Sequence, residues 1–290
     1  MPSNEQRREA AKRKLERQLE RRAARARKRK QLTIAASALG VVVLVGAIAV
    51  VVTLTRENDS TNDASAAETT SDHTPGVMPI GRAEPLPQFV SCTYTPDGQE
   101  PAKPVEPPRT DDIDTTVSTV SVSMETTQGN IGLTLDNAES PCTVNNFLSL
   151  ASQGYFDNTP CHRLVTSEGL KVLQCGDPTG TGTGGPGYGF ANEFPTDQYS
   201  VGDPSAQIPV TYPRGTIAMA NSGQPDSNGS QFFLVYEDSQ LPPQYTVFGT
   251  IDETGLETIE KVAAAGDDGS MAAGGGAPNL PIDITSVRMD

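Results

Sequence analysis

Hydrophobic positions along this 290-residue chain follow three different regimes. From Leu32 to Leu54 they form an uncharged run dominated by Val, Ala, Leu and Ile. About 20 apolar residues span a bilayer core as a helix, so this run is predicted to cross a membrane. From residue 56 to about 115 Ser, Thr, Asp, Asn and Pro dominate. Such a segment buries too little apolar surface to offset its chain entropy and reads as a disordered tether. Beyond Val117 short alternations take over. Val120, Val122 and Met124 alternate, Gln128-Gly129-Asn130 turns, and Ile131, Leu133 and Leu135 alternate again, which predicts a β-hairpin. Ser140-Pro141 marks a helix start, Ser as N-cap and Pro at the first helical position. Phe147, Leu148 and Ala151 continue that helix on one face, and Gly154 ends it.

Further strands are predicted over 161–165, 172–175, 216–220, 232–235 and 246–250. A second helix is predicted over 256–264, with Ile259 and Val262 inward. Ile282 and Ile284 alternate in a last strand. Eight short strands with two helices imply a mainly β domain, a closed eight-stranded barrel with helical caps. The organisation expected is a basic segment at 1–31, a transmembrane helix at 32–54, a linker at 55–115 and the barrel domain at 116–290.

Charge orients this layout. The first thirty residues hold 13 of the 22 Lys and Arg and 4 of the 36 Asp and Glu. Lys and Arg are retained on the cytoplasmic side, which places the N-terminus inside and everything after Arg56 outside as a single-pass cell-membrane protein. The apolar run is long for a cleavable signal, and no clear A-x-A site follows; a long cleaved signal is the alternative. The remaining 9 basic and 32 acidic residues give an ectodomain that repels nucleic acid.

Cys92, Cys142, Cys161 and Cys175 all follow the apolar run, where oxidation is permitted. No C-x-x-C pair occurs, and the two histidines are His73 and His162, so a metal site is not expected. Two disulfides are, with three possible connectivities. The run Gly182-x-Gly184-x-x-Gly187 is formally a dinucleotide fingerprint, but no helix pattern follows it, and it reads as a surface loop.

Several ordered blocks carry a family resemblance. Cys161-His162-Arg163-Leu164-Val165 followed by Gln174-Cys175-Gly176-Asp177 resembles the cyclophilin F-H-R and Q-G-G-D. Gly182-Thr183-Gly184-Gly185 and Tyr188-Gly189 resemble G-T-G-G and Y-G. Met219-Ala220-Asn221-Ser222 is similar to M-A-N-A, Asn228-Gly229-Ser230-Gln231-Phe232-Phe233 is identical to N-G-S-Q-F-F, and Val247-Phe248-Gly249 to V-F-G. The resemblance spans about Val117 to Asp290 and implies a bacterial membrane-anchored cyclophilin, a peptidyl-prolyl cis-trans isomerase (rotamase) acting on proline peptides and unfolded exported proteins.

The chemistry fits these residue types. Rotation about an X-Pro bond must break amide resonance, against a barrier of about 18–20 kcal/mol. No bond is made or cut, so no nucleophile, metal or cofactor is required; the enzyme need only bind the twisted amide better than either planar form. The twisted prolyl nitrogen regains a lone pair to which a guanidinium can donate. Lowering the barrier by about 7 kcal/mol would accelerate rotation roughly 10⁵-fold. The resemblance makes Arg163 the donor, with Gln174 bracing it. It gives Asn221 a backbone contact and Gln231 a polar contact. It assigns the proline pocket to Val172, Phe233 and Leu241, with Ala220 and Tyr245 alongside. Phe232 and Phe233 face opposite ways on a strand, so one can fill the core while the other lines the pocket. His162 reads as structural, since isomerisation needs no proton transfer.

Departures are concentrated at the pocket. Cys161 replaces the family's Phe. Thr166 to Val172 replaces P-G-F-M with about two extra residues, leaving Leu170 or Lys171 where the pocket Phe stands. Gln240 replaces a common Trp, and Tyr245 a His. The altered loop raises an alternative function, a proline-peptide binding or chaperone module with little turnover.

Strand geometry selects a cysteine pairing. If the strands at 161–165 and 172–175 are antiparallel around a loop at Thr166 to Leu170, Val165 lies near Lys171 and Cys161 falls opposite Cys175. Opposed residues have Cβ atoms about 4.5–5.5 Å apart, near disulfide range. Cys92 is then left with Cys142, which would fasten the linker to the first helix. Four free thiols are the alternative.

Overall fold

The computed structural model describes residues 76–290. The predicted basic segment, the transmembrane run at 32–54 and the first part of the linker lie outside the described residues. Among the described residues no helix is long and apolar enough to cross a membrane.

The remainder of the linker departs from the expected disordered tether. It forms three two-residue strands, β1 (Phe89–Val90), β2 (Thr95–Pro96) and β3 (Ile113–Asp114), with β1 antiparallel to β3. Cys92, Tyr94 and Ile113 are buried in the main core. Lys103 donates to the carbonyls of Tyr155 and Asp157 and to the Thr159 hydroxyl. A Pro-rich, polar segment is thus ordered by a few anchors rather than by a hydrophobic face of its own.

Alternation builds the first hairpin. β4 (Thr119–Thr126) pairs with β5 (Gly129–Asp136) from Thr119↔Asp136 to Thr126↔Gly129, burying Val122, Met124, Ile131, Leu133 and Leu135 on one side. The first helix, α1 (Pro141–Ser152), starts at Pro141 as expected, but Ser140 does not cap it. The Ser140 hydroxyl donates to the Val247 carbonyl instead, at 2.7 Å. The orphan N–H groups of Cys142 and Thr143 go to the Glu193 carboxylate, at 3.0 and 2.7 Å.

β6 (Thr159–Pro160), β7 (Arg163–Val165), β8 (Lys171–Cys175) and β9 (Tyr188–Gly189) follow, then β10 (Val210–Tyr212), β11 (Thr216–Met219), β12 (Phe232–Glu237), β13 (Ser239–Leu241) and β14 (Val247–Ile251). The second helix, α2 (Glu253–Ala264), and β15 (Asp283–Met289) complete the chain. The main sheet runs β6-β15-β4-β5-β14-β11-β12-β8-β7. It has nine strands, not eight, and is a curled sheet rather than a barrel closed by ladders. Its two edge strands, β6 and β7, are consecutive in the chain and are joined by Cys161-His162.

Both disulfides are present, Cys92–Cys142 and Cys161–Cys175. The register expected for the second is off by one. Arg163 pairs with Gln174 and Val165 with Val172, while Lys171 pairs with Glu237 of β12 across a register shift. Cys161 precedes the β7–β8 ladder and donates its N–H to the Ile282 carbonyl, so the bridge links residues beside the ladder rather than directly opposed within it.

Two apolar clusters result. The main core holds Phe147, Phe156, Phe232 and Phe248 with the inward faces of the sheet. A second cluster holds Val165, Val172, Val210, Tyr212, Ala218, Phe233 and Val235. Phe232 and Phe233 divide between them, as neighbours on a strand must.

Candidate active site

The site is organised around three adjacent strands, β12, β8 and β7. β7 and β8 place Arg163 directly across from Gln174, and β12 places Phe233 across from Gln174 on the other side. Arg163 Nη1 donates to Gln174 Oε1 at 3.2 Å. Gln174 Nε2 donates to Gln231 Oε1 at 2.9 Å, and Gln231 Nε2 donates to the carbonyls of Gly182 and Gly184 at 3.1 and 3.0 Å. This chain of amides fixes the guanidinium from one side and ends on the glycine-rich loop. The remaining contacts come from a segment the sequence reading passed over. Arg163 Nε donates to the Gly274 carbonyl and Nη2 to the Ala273 carbonyl, both at 3.0 Å. Among the described residues these bonds use three of five guanidinium donors, leaving two N–H for a ligand. Gly275 has φ +71°, and a Cβ there would strike the Leu164 carbonyl, so glycine lets this loop lie against β7.

The apolar side is equally defined. Leu170, Ala220, Leu241 and Tyr245 pack on the cluster that contains Val172 and Phe233. Of the two residues expected near the missing pocket Phe, Leu170 joins this cluster; Lys171 turns its ammonium to the Thr166 carbonyl. Leu241 is held by β13 opposite Val210 of β10. Tyr212 is a member the sequence reading missed. Its hydroxyl donates to the carbonyls of Pro242 and Tyr245, and the rings of Phe233 and Tyr245 meet edge to face at 5.6 Å. The Asn221 side chain donates to the Gln244 carbonyl at 2.9 Å and accepts from the Gly223 N–H, so it fixes its own segment.

His162 is buried with both ring nitrogens unpartnered among the described residues. Burial holds its pKa below the ordinary imidazole value against the opposing pull of Asp177, which suits a neutral structural residue. Asp177 lies under the glycine-rich loop and accepts from the N–H groups of Thr179, Gly182 and Gly184. Burial opposes its ionisation, but the Thr179 hydroxyl and these N–H groups outweigh it and hold its pKa below the usual carboxylate value.

The model of the cyclophilin type peptidyl-prolyl cis-trans isomerase family matches residues 121–289. The chain belongs to the cyclophilin family. It is a peptidyl-prolyl cis-trans isomerase: a probable peptidyl-prolyl cis-trans isomerase B of Mycobacterium leprae is 55% identical over 303 residues, covering 100% of both chains. One of Mycobacterium tuberculosis is 59% identical over 217 residues, covering 72% of this chain and 69% of that one. A solved cyclophilin type peptidyl-prolyl cis-trans isomerase of Cryptosporidium parvum is 30% identical, with a TM-score of 0.47, over 59% of this chain and 98% of its own.

One residue of this cyclophilin ties its stability to pH. Glu193 keeps slight exposure but lies deep in the fold, where burial lifts its carboxyl to about 7 against the hydrogen bonds from Thr143 and Cys142. An unfolded glutamate titrates near its ordinary value of about 4.3. Between these values the folded form holds a proton that the unfolded form has released, so this group's contribution to stability falls as pH rises through the window and levels off above it. Denaturant titrations across that window should show this slope in the wild type and lose it in Glu193→Gln. Parallel pH profiles for the two proteins would contradict the assignment.

Proposed function

We propose that this isomerase acts outside the cytoplasm on X-Pro bonds of exported proteins, held at the membrane by residues 32–54, and that Arg163 drives the rotation. The observation that carries the mechanism is the guanidinium clamped by Gln174, Gly274 and Ala273, with two N–H left over, beside the Val172–Phe233–Leu241 cluster. A proline ring is compact and apolar and suits that cluster. Its amide nitrogen then lies within reach of a fixed donor, and the donor gains a partner only when twisting restores the lone pair. Such an interaction favours the transition state over both planar forms. Gln231 and the Asn221 main chain hold the peptide while the prolyl half turns.

Placement follows from the chain before the catalytic domain. Unaided X-Pro isomerisation takes tens to hundreds of seconds and can limit folding of exported chains. Protease added outside protoplasts should release the catalytic domain and leave the basic head protected. A domain that resists digestion until the membrane is permeabilised would contradict the external placement.

A further inference from the structure

We propose that the described part of the linker, residues 76–115, here called the N-terminal strap, contributes a specificity wall to this site: Asp97, with Asp226 across the same cavity, selects peptides bearing a Lys or Arg close along the chain from the proline. The inference rests on the isomerase reading of Arg163 and Gln231 and extends it to substrate class.

A cavity of about 540 Å³ opens beside the amide chain, lined by Gln174, Gln231, Asn221 and the glycine-rich loop, and also by Asp97 and Asp226. Asp97 reaches it because β2 adds to the back of that loop: Thr95 pairs with Gly189 and Pro96 with Tyr188. The Asp97 N–H then donates to the Gly187 carbonyl at 3.2 Å, and that of Ala102 to the Gly185 carbonyl at 2.9 Å. Cys92–Cys142 pins the strap just upstream. Asp97 Oδ1 accepts from the Gln99 N–H at 2.8 Å, which fixes the carboxylate at the rim.

The electrostatics all have one sign. Among the described residues no Lys, Arg or His lines the cavity. Asp177, fully buried and ionised beneath the loop, adds a third carboxylate whose partners are N–H groups and a hydroxyl, not a cation. Arg163, the nearest guanidinium in the hydrogen-bond chain, is tied to Gln174 at the cavity's edge. A peptide with its proline on the Phe233 cluster advances about 3.3–3.6 Å per residue, so a side chain two or so residues away overlies this cavity. An ammonium or guanidinium there meets a negative field, and a carboxylate is repelled. Both rim carboxylates are exposed, so the discrimination is several-fold and sensitive to salt.

The test uses the full chain and two sets of proline peptides. One set carries Lys, Ala or Glu two residues before the proline, the other two residues after it. In one of the two sets kcat/KM should fall in the order Lys, Ala, Glu, with a Lys-to-Glu ratio of roughly five at low ionic strength that collapses at high salt. Asp97→Asn retains the contact to Gln99 and should cut that ratio roughly threefold, mainly through KM, and Asp97→Glu should restore it. A ratio near one in both sets, or one that Asp97→Asn leaves unaltered, overturns the proposal. Failure of the wild type to turn over any of the six peptides is a separate outcome; it overturns the isomerase mechanism itself and the proposal with it.

Discussion

Arg163→Ala should lose most of its turnover, with kcat/KM falling by about 10²–10³, the effect typical of removing one preorganised donor from a transition state. The side chain makes three hydrogen bonds but is only partly buried, so the fold should survive its loss. Arg163→Lys should recover little. Three different guanidinium nitrogens reach Gly274, Gln174 and Ala273, and an ammonium on a flexible stem cannot satisfy all three while aiming at the prolyl nitrogen. Thermal unfolding of each variant separates a folding defect from a catalytic one. Near-native kcat/KM in a well-folded Arg163→Ala would show that the clamp serves structure alone.

Loss of the Cys92–Cys142 bridge should produce the largest stability change. It closes a loop of 50 residues between the strap and α1. In the chain-entropy account a bridge over such a loop stabilises by about 4 kcal/mol. The strap's buried apolar contribution to the core is small, Cys92, Tyr94 and Ile113, with Tyr94 donating to the Cys142 carbonyl at 2.7 Å. Cys92→Ala/Cys142→Ala should therefore unfold at markedly lower denaturant and expose the strap to protease. A loss below about 1 kcal/mol would mean that Lys103 and the β2–β9 pairing hold the strap without the bridge.

The elements that the sequence made legible are those with a strict period or a strong punctuation mark. The β4–β5 hairpin followed from alternation, and α1 began at Pro141 as its N1 signature required. The site blocks were legible because they are side-chain chemistry: Arg163, Gln174 and Gln231 form one hydrogen-bonded chain. What remained hidden acts through backbone or through distant partners. Gly274 and Ala273 hold Arg163 by their carbonyls, which no side-chain pattern announces. Glu193 caps a helix some 50 residues earlier in the chain, displacing Ser140 from the role its position suggested. The strap has the composition of a disordered segment, and its order comes from a disulfide, a half-buried lysine and the β2–β9 pairing. The β7–β8 register differs by one residue from expectation because the connection between the paired residues takes in Lys171 as well, so the ladder begins at Val165↔Val172, and the length of that connection is not marked by the strands' own alternation.

The central claim is that Arg163 acts on the twisted amide and not on the bound ground state. Exchange spectroscopy by NMR on a single proline peptide, with wild type and Arg163→Ala, reads both quantities at once: the affinity from titration shifts, the isomerisation rate from cis–trans cross-peaks. The account predicts similar affinities and a collapse of the enzyme-bound exchange rate in the variant. Equal exchange rates, or a loss of rate fully explained by weaker peptide binding, would contradict it.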